Sequence, residues 1–238
     1  MMVKERSTSV NSTAISVIIP TYNEAGAIGS LIPKVCRVIG ERDELIIVDD
    51  HSPDGTADIV EGLAQQYPVK LVRRKGPRDL SLSVLDGFSV ATNSLWCVMD
   101  GDLSHNPMFI PRMIEEIQRG ADIVIGSRLV PGGEVERWPE SRRLISKIGI
   151  FLSRPLVNVY DPMSGFFMLR RKVLENVSLR PRGYKILLEI LVRGRWQRAA
   201  EIPIVFVNRM FGKSKLSGRI YKDYLLQLVR LYSFRLKN

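Results

Sequence analysis

Asp100 and Asp102 stand one residue apart at the end of a short apolar run, Leu95-Trp96-Cys97-Val98-Met99. In a buried strand successive side chains alternate between faces, so two carboxylates at this spacing point the same way. Left alone they repel each other and carry a desolvation cost. A divalent cation relieves both, and hard carboxylate oxygens suit Mg²⁺ or Mn²⁺. A solvated Asp-Gly-Asp turn would present the same tripeptide, so its surroundings decide between the two.

Two other apolar runs end in comparable stretches. Ile15-Ser16-Val17-Ile18-Ile19-Pro20 leads into Thr21-Tyr22-Asn23-Glu24, and Glu44-Leu45-Ile46-Ile47-Val48 leads into Asp49-Asp50. Their branched residues predict buried strands, separated by a helix over about 25–39. The pattern then continues with a helix over 57–66, which Asp54 or Thr56 is placed to cap. A strand over 69–72 and a helix over about 80–92 lead to the strand that ends at Asp100. Asn106-Pro107 opens a helix to about Gly120, and a strand over 121–128 delivers Arg128. A helix over 141–157 carries Arg142, Arg143, Ser146 and Lys147. A turn over 161–165, a strand over 166–169, a helix over about 184–195 and a strand over 200–207 follow. The last segment, 218–238, has apolar residues near helical spacing with basic residues between them.

This β-α-β-α rhythm predicts a single α/β domain with a Rossmann-like, mostly parallel central sheet flanked by helices. Ligands of such sheets bind beyond the carboxyl ends of the strands. The three acidic strand ends and Arg128 are therefore expected to line one crevice. The chain has no G-x-G-x-x-G after its first strand and no G-x-x-x-x-G-K-[ST], which disfavours a dinucleotide fold or a P-loop.

Composition narrows the chemistry further. Two histidines leave little room for a His-based zinc site or a catalytic triad. Cys36 and Cys97 both lie in apolar surroundings and are expected as core residues of a reducing compartment. The 238 residues carry a net charge of +10, concentrated at 137–147, 170–172, 180–198 and 209–238. Such a surface suits phosphorylated ligands, anionic lipid or nucleic acid. No segment reaches the roughly 18 uninterrupted apolar residues of a spanning helix. Residues 1–14 are polar and are expected to form a disordered lead.

A cation at Asp102 and Asp100, with arginines within reach, describes a site for a bound diphosphate. Tyr22 is suited to stacking on a base, and Glu24 and Asp50 to accepting hydrogen bonds from base N–H groups or ribose hydroxyls. The crevice thus reads as a sugar-nucleotide site, with the nucleoside over the first two strands and the diphosphate at the Asp100 strand.

Seven motifs then carry a resemblance. Pro20-Thr21-Tyr22-Asn23-Glu24, Val48-Asp49-Asp50, Asp54-Gly55-Thr56, Asp100-Gly101-Asp102-Leu103-Ser104-His105, Gly126-Ser127-Arg128, Asp161-Pro162-Met163-Ser164-Gly165-Phe166 and Gly212-Lys213-Ser214-Lys215-Leu216 occur in this order. Over about residues 15–220 the chain resembles the dolichyl-phosphate mannose synthases, among family-2 glycosyltransferases with the GT-A fold. The resemblance implies a catalytic domain over 15–217 and inverting, metal-dependent transfer of mannose from GDP-mannose to dolichyl (polyprenyl) phosphate. It implies that Pro20, Tyr22, Glu24, Val48 and Asp50 hold the nucleoside. Asp100, Gly101 and Asp102 would meet the diphosphate and the Mg²⁺ or Mn²⁺, with Ser104 as a weaker or water-mediated ligand. Arg128 and Arg142 would bind the acceptor phosphate beside Ser146, while Arg209 and Lys215 close over the donor.

The acceptor makes a general base unnecessary, because a phosphate monoester has a second pKa near 6 and arrives ionised. The cationic excess then offsets repulsion between acceptor phosphate and donor diphosphate. Asp161 is accordingly expected to hold a loop or an arginine rather than to act as a base. Asp79 and Lys213 depart from the family pattern, which usually has Gly and Glu there. A lipid acceptor implies work at the cytoplasmic face of a membrane. The 141–157 helix and the 218–238 tail are the candidate interfacial elements, and small membrane subunits are possible partners. Nucleic acid is not expected as one. Two other readings remain: a different donor such as UDP-glucose, and a non-catalytic binder of anionic lipid or nucleic acid.

Overall fold

Between β1 (Ile15–Thr21) and β4 (Leu95–Val98) the order of the central sheet reverses direction. The chain first runs outward from β1 through β2 (Glu44–Asp49) to β3 (Val69–Arg73), all parallel. It then returns to place β4 on the other side of β1. A parallel sheet opens a crevice at such a switch point, beyond the carboxyl ends of the two strands. The computed structural model of the protein describes residues 14–136, 139–181, 183–208 and 218–237. The expected lead, but for residue 14, lies outside the described residues.

The remaining strands are β5 (Ile123–Ser127), β6 (Glu134–Val135), β7 (Phe167–Arg170), β8 (Ala199–Pro203) and β9 (Val205–Phe206). They complete a seven-stranded sheet in the order β3-β2-β1-β4-β7-β5-β8. Only β7 runs antiparallel to its neighbours, so the sheet is mostly parallel, as expected. The strand expected over 200–207 is broken at Ile204. Its first half pairs with β5 and its second half with β6 in a separate ribbon, because β6 lies off the sheet.

Helices α1 (Ala25–Cys36), α2 (Thr56–Leu63), α3 (Leu80–Val90), α4 (Ile110–Gln118), α5 (Glu140–Ser153), α6 (Ile186–Arg193) and α7 (Gly218–Lys237) cover the sheet. Strand alternation sorts the core into two layers. Ile18, Ile46, Val48, Val98 and Phe167 pack with α3, α6 and α7. Val17, Ile19, Leu45, Ile47 and Met168 pack with α1, α2 and α4. Cys97 is buried and Cys36 half-buried, and burial pushes both thiols up.

Two local expectations gain detail. Gly55, the residue before α2, makes no side-chain cap, but Asp54 Oδ1 accepts the N–H of Thr56, the first residue of α2, at 3.1 Å, as expected. The same two residues also serve α1: Ala25 N–H donates to Asp54 Oδ2 and Glu24 N–H to Thr56 Oγ1, both at 3.0 Å. The last helix is also more than an amphipathic tail. Leu228 and Leu231 enter the core, and the Tyr224 and Tyr232 hydroxyls donate to the α5 carbonyls of Gly149 and Leu152.

Gly87 shows how closely α3 lies on the sheet. A β-carbon there would overlap Ile18 Cγ2 and come within 3.3 Å of Val48 Cγ2. Ile18 is branched and fully buried, so it cannot yield. Gly87→Ala is expected to lower the unfolding free energy by about 1–3 kcal/mol from overpacking. The helix-propensity gain of about 1 kcal/mol offsets only part of this, and urea unfolding measures the balance.

Candidate active site

The two acids sit on a turn built for them. Met99 N–H still bonds to Ile18 O, so Asp100 is the first residue beyond the sheet ladder. Its own N–H donates to His105 Nδ1 at 3.1 Å. His105 is buried between Phe166 and Phe206, and burial holds its pKa below the usual value, so the ring is neutral and free to accept. Leu103 takes a left-handed conformation, φ +64°, which folds the Ser104 N–H back onto Asp102 Oδ1 at 3.1 Å. Asp102 is buried, whereas about a third of the Asp100 side chain is exposed. Gly165, in the turn before β7, leaves the room that the Asp100 carboxylate fills. A β-carbon there would lie 2.9 Å from both of its oxygens.

The donor set fits a hard divalent cation. Two carboxylates point from one turn, and Ser104 Oγ on the same turn is buried without a hydrogen-bond partner. Among the described residues no group of three His, Cys, Asp or Glu forms a closed metal cage. Open coordination is what Mg²⁺ or Mn²⁺ uses when phosphate oxygens and water complete the shell.

The β1 and β2 ends form a second wall. Asp50 is buried, and its carboxylate takes Arg74 Nη1 at 2.6 Å and Asp79 N–H at 2.8 Å. Asp49 points elsewhere, accepting from Thr21 Oγ1 and from the Ser52 N–H and hydroxyl, and so is structural. The Arg78 guanidinium covers the Tyr22 ring at 4.3 Å. A base stacking on that face of Tyr22 would therefore meet Arg78.

The third wall is cationic. Arg128, just past β5, donates from Nε and Nη2 to the two oxygens of Asp161 at 2.7 and 2.8 Å. Burial alone would raise the Asp161 pKa. The Arg128 charge and its hydrogen bonds outweigh this and hold the carboxyl below its usual range. Asp161 thus holds an arginine, as expected. Lys185 approaches from the loop before α6, with Nζ 3.3 Å from Met163 O. Burial and the neighbouring Arg128 push its pKa down to about 8, against the pull of Asp161 and Asp100. Arg142 and Ser146 lie one turn apart on α5. Val207 N–H donates to Ser104 O at 3.2 Å, and the next residue, Asn208, offers Oδ1 to Arg142 Nη1 at 3.5 Å.

One cavity unites these walls. Pro20, Tyr22, Glu24, Asp50, Asp100, Gly101, Asp102, Arg128, Arg142 and Ser146 all line it. Val48 does not. Its side chain is fully buried in the core beneath α3 because it alternates away from the crevice. Ser104 is not among the lining residues. Arg209 and Lys215, with the basic loop around them, fall outside the described residues. Sequence reasoning missed Arg78, Tyr184, Lys185, Tyr221, Tyr224 and Gln227, which also line the cavity. For the α7 residues the inward face of the amphipathic pattern was a usable signal; for Lys185 there was none.

Gly165→Ala tests the acid pair directly. Asp100 is exposed enough to turn aside, so unfolding free energy should change by less than about 1 kcal/mol. Mn²⁺ affinity, titrated with inorganic diphosphate present, should fall about 10–100-fold. Unchanged affinity would remove Asp100 from the metal site.

Comparison with known proteins agrees with this geometry. The sequence profile of glycosyl transferase family 2 matches residues 16–178. A dolichol-phosphate mannosyltransferase of Pyrococcus furiosus is 45% identical over 91% of this chain, which spans 63% of that protein's length. A dolichol-phosphate mannosyltransferase of Saccharomyces cerevisiae is 40% identical over 94% of this chain and 89% of its own. The fold is shared with glucosyl-3-phosphoglycerate synthase of Mycobacterium tuberculosis, solved with Mn²⁺, UDP-glucose and phosphoglyceric acid. That match has a TM-score of 0.67 at 18% identity and covers 93% of this chain and 80% of that one. The chain therefore belongs to glycosyltransferase family 2, among its dolichol-phosphate mannosyltransferases.

Proposed function

We propose that the protein transfers mannose from GDP-mannose to the phosphate of dolichol or another polyprenol, with inversion at the sugar carbon. One observation carries the reading: Asp100 and Asp102 share a cavity with Arg128, Arg142 and Lys185. Carboxylates on one side and fixed cations on the other suit two phosphorylated molecules that must meet. The relatives, which are dolichol-phosphate mannosyltransferases, support the sugar and the acceptor. The fold neighbour was itself solved with Mn²⁺, UDP-glucose and phosphoglyceric acid, so this fold can hold a metal, a nucleotide sugar and a phosphorylated acceptor together.

The residues divide the work by position. Pro20, Tyr22, Glu24 and Asp50 hold the nucleoside. Mg²⁺ or Mn²⁺ on Asp100 and Asp102, with Ser104 directly or through water, would draw charge off the departing diphosphate. Arg128, Arg142 and Ser146 seat the acceptor phosphate, whose oxygen attacks the sugar carbon without a general base. Asp161, with both oxygens on Arg128, serves as the arginine's anchor. Lys185 adds a cation between the two anions, and fixed charge near developing charge is the strongest electrostatic lever available.

A lipid acceptor requires a membrane surface. Among the described residues no helix is long and apolar enough to cross one. Two helices instead expose apolar stripes: Leu144, Ile148 and Phe151 on α5, and Leu225, Val229 and Leu236 on α7. Phe151 is 73% and Val229 63% exposed, far beyond what packing on this domain explains. Arg143, Lys147, Arg230 and Arg235 flank the stripes. This pattern suits peripheral binding to the cytoplasmic leaflet, with or without small membrane subunits.

The test is transfer of labelled sugar from GDP-mannose and UDP-glucose to dolichyl phosphate in vesicles. Mannose transfer is expected, dependent on Mg²⁺ or Mn²⁺. Asp102→Asn, which keeps an oxygen for the Ser104 N–H, should lower it at least about 100-fold with the fold retained. Glucose transfer without mannose transfer would change the donor, and an unaffected Asp102→Asn would end the enzyme reading.

Lys185 gives a pH dependence with a definite sign. Its pKa is lowered to about 8, so the folded state loses this charge as pH rises through 8, while the unfolded chain keeps it until higher pH. Protein stability therefore rises with pH above about 8, because the unfolded chain then binds more protons. Binding of inorganic diphosphate should weaken over the same window, and Lys185→Arg should flatten that loss. Isothermal titration across this range checks it.

A further inference from the structure

Asp79 joins three parts of the molecule through one residue. Its N–H donates to Asp50 Oδ2 at 2.8 Å, on the nucleoside wall. Its Oδ1 accepts the Leu82 N–H at 3.1 Å and caps α3. Its Oδ2 accepts the Gly183 N–H at 2.7 Å, across 104 residues of chain. Ser81 grips the other side of the same residue: its N–H and hydroxyl both donate to Gly183 O, at 3.0 and 2.7 Å. Ser81 is fully buried.

Gly183 sits at φ +75°, a left-handed conformation that glycine adopts without steric cost and a side chain would not, so its place is set by the bonds it makes. The next two residues are Tyr184 and Lys185, which line the cavity. Lys185 is then fastened from the far side, where its carbonyl accepts Gln227 Nε2 at 3.0 Å. The clamp at the start of α3 thus fixes where the segment leaves the protein body, two residues before the lysine. Asp79 itself is extended, φ −162°, so the backbone does not demand a particular residue there. The side chain is present for its contacts.

We propose that Asp79 is a positioning residue for the phosphate-facing wall: through Gly183 it sets the place of Lys185, and through its backbone it holds Asp50, so that the two ends of the donor are kept in register. This rests on the transferase reading above. It assigns Asp79 no contact with substrate. Its effect on transfer runs through Lys185, and misplacement of a group by about 1 Å is worth up to 100-fold in rate.

Asp79→Ser isolates the claim. Serine keeps a helix-capping oxygen and the backbone N–H to Asp50, but is too short for Gly183. Hydrogen exchange read by mass spectrometry should show the peptide over 183–185 at least about tenfold less protected, with α3 unchanged. Binding of guanosine monophosphate, which lacks the second phosphate, should stay within about twofold, while kcat/KM for transfer falls about 10–100-fold. In the Lys185→Met background Asp79→Ser should cost little more, because the two act as one unit. Unchanged protection at 183–185, or a full additional loss in that background, overturns the proposal. So does a loss of guanosine monophosphate binding as large as the loss of transfer. Should Asp79→Ser fail to fold, Ser81→Ala removes one bond to the same glycine from its carbonyl side. It should show the same signature at smaller amplitude, and an absence of signature there also overturns the proposal. If the parent protein transfers no sugar, the exchange experiment still decides the clamp, and only the transferase reading falls.

Discussion

Charge that must be brought together without neutralising itself is the constraint on which this structure turns. Two acids face outward into a crevice, and three cationic side chains face them across it. At such distances in a partly dry cleft, unit charges interact by several kcal/mol, so none can be left to wander. Several of the charged groups at the crevice are pinned by other groups of the protein. Asp161 holds Arg128 with both oxygens, Arg74 and Asp79 hold Asp50, and Ser104 N–H holds Asp102. Only Asp100, partly exposed, keeps a margin of movement.

The scaffold supplies these pins by topology. The reversal between β1 and β4 opens the crevice where the acidic turn begins. The antiparallel β7 brings the turn over 161–165 to the same edge from the opposite direction. That turn contributes the anchor for Arg128 and the glycine gap for Asp100 together. A sheet with every strand parallel would have sent this turn to the far edge, away from both.

Much of this was legible in the sequence, and the reasons for the misses are physical. Buried strands announce themselves by runs of branched residues, and an acid at the end of such a run has few innocent explanations. Hence the sequence alone places Asp50, Asp100, Asp102 and Arg128 in one crevice. Val48 was carried along with its neighbours, but the two-residue period of a strand sends its side chain to the core. Lys185 was missed because a single lysine in a loop carries no period and no motif; only the clamp on Gly183 gives it a place. The caps on α1 have no local signal because the hydrogen bonds that Asp54 and Thr56 accept cross 29 to 32 residues, beyond what local spacing can register. The break at Ile204 follows Pro203, which ends β8 and cannot donate to a ladder; the sequence carries that signal but not the change of partner from β5 to β6.

That break has a mechanical consequence. Beyond β9 the chain touches the acidic turn with Val207 and the basic helix α5 with Asn208. Adjacent residues of an extended chain are only about 3.3 Å apart. The acidic turn and the basic helix are thus tied to each other through two adjacent residues of one chain segment, so a shift of that segment moves both walls together.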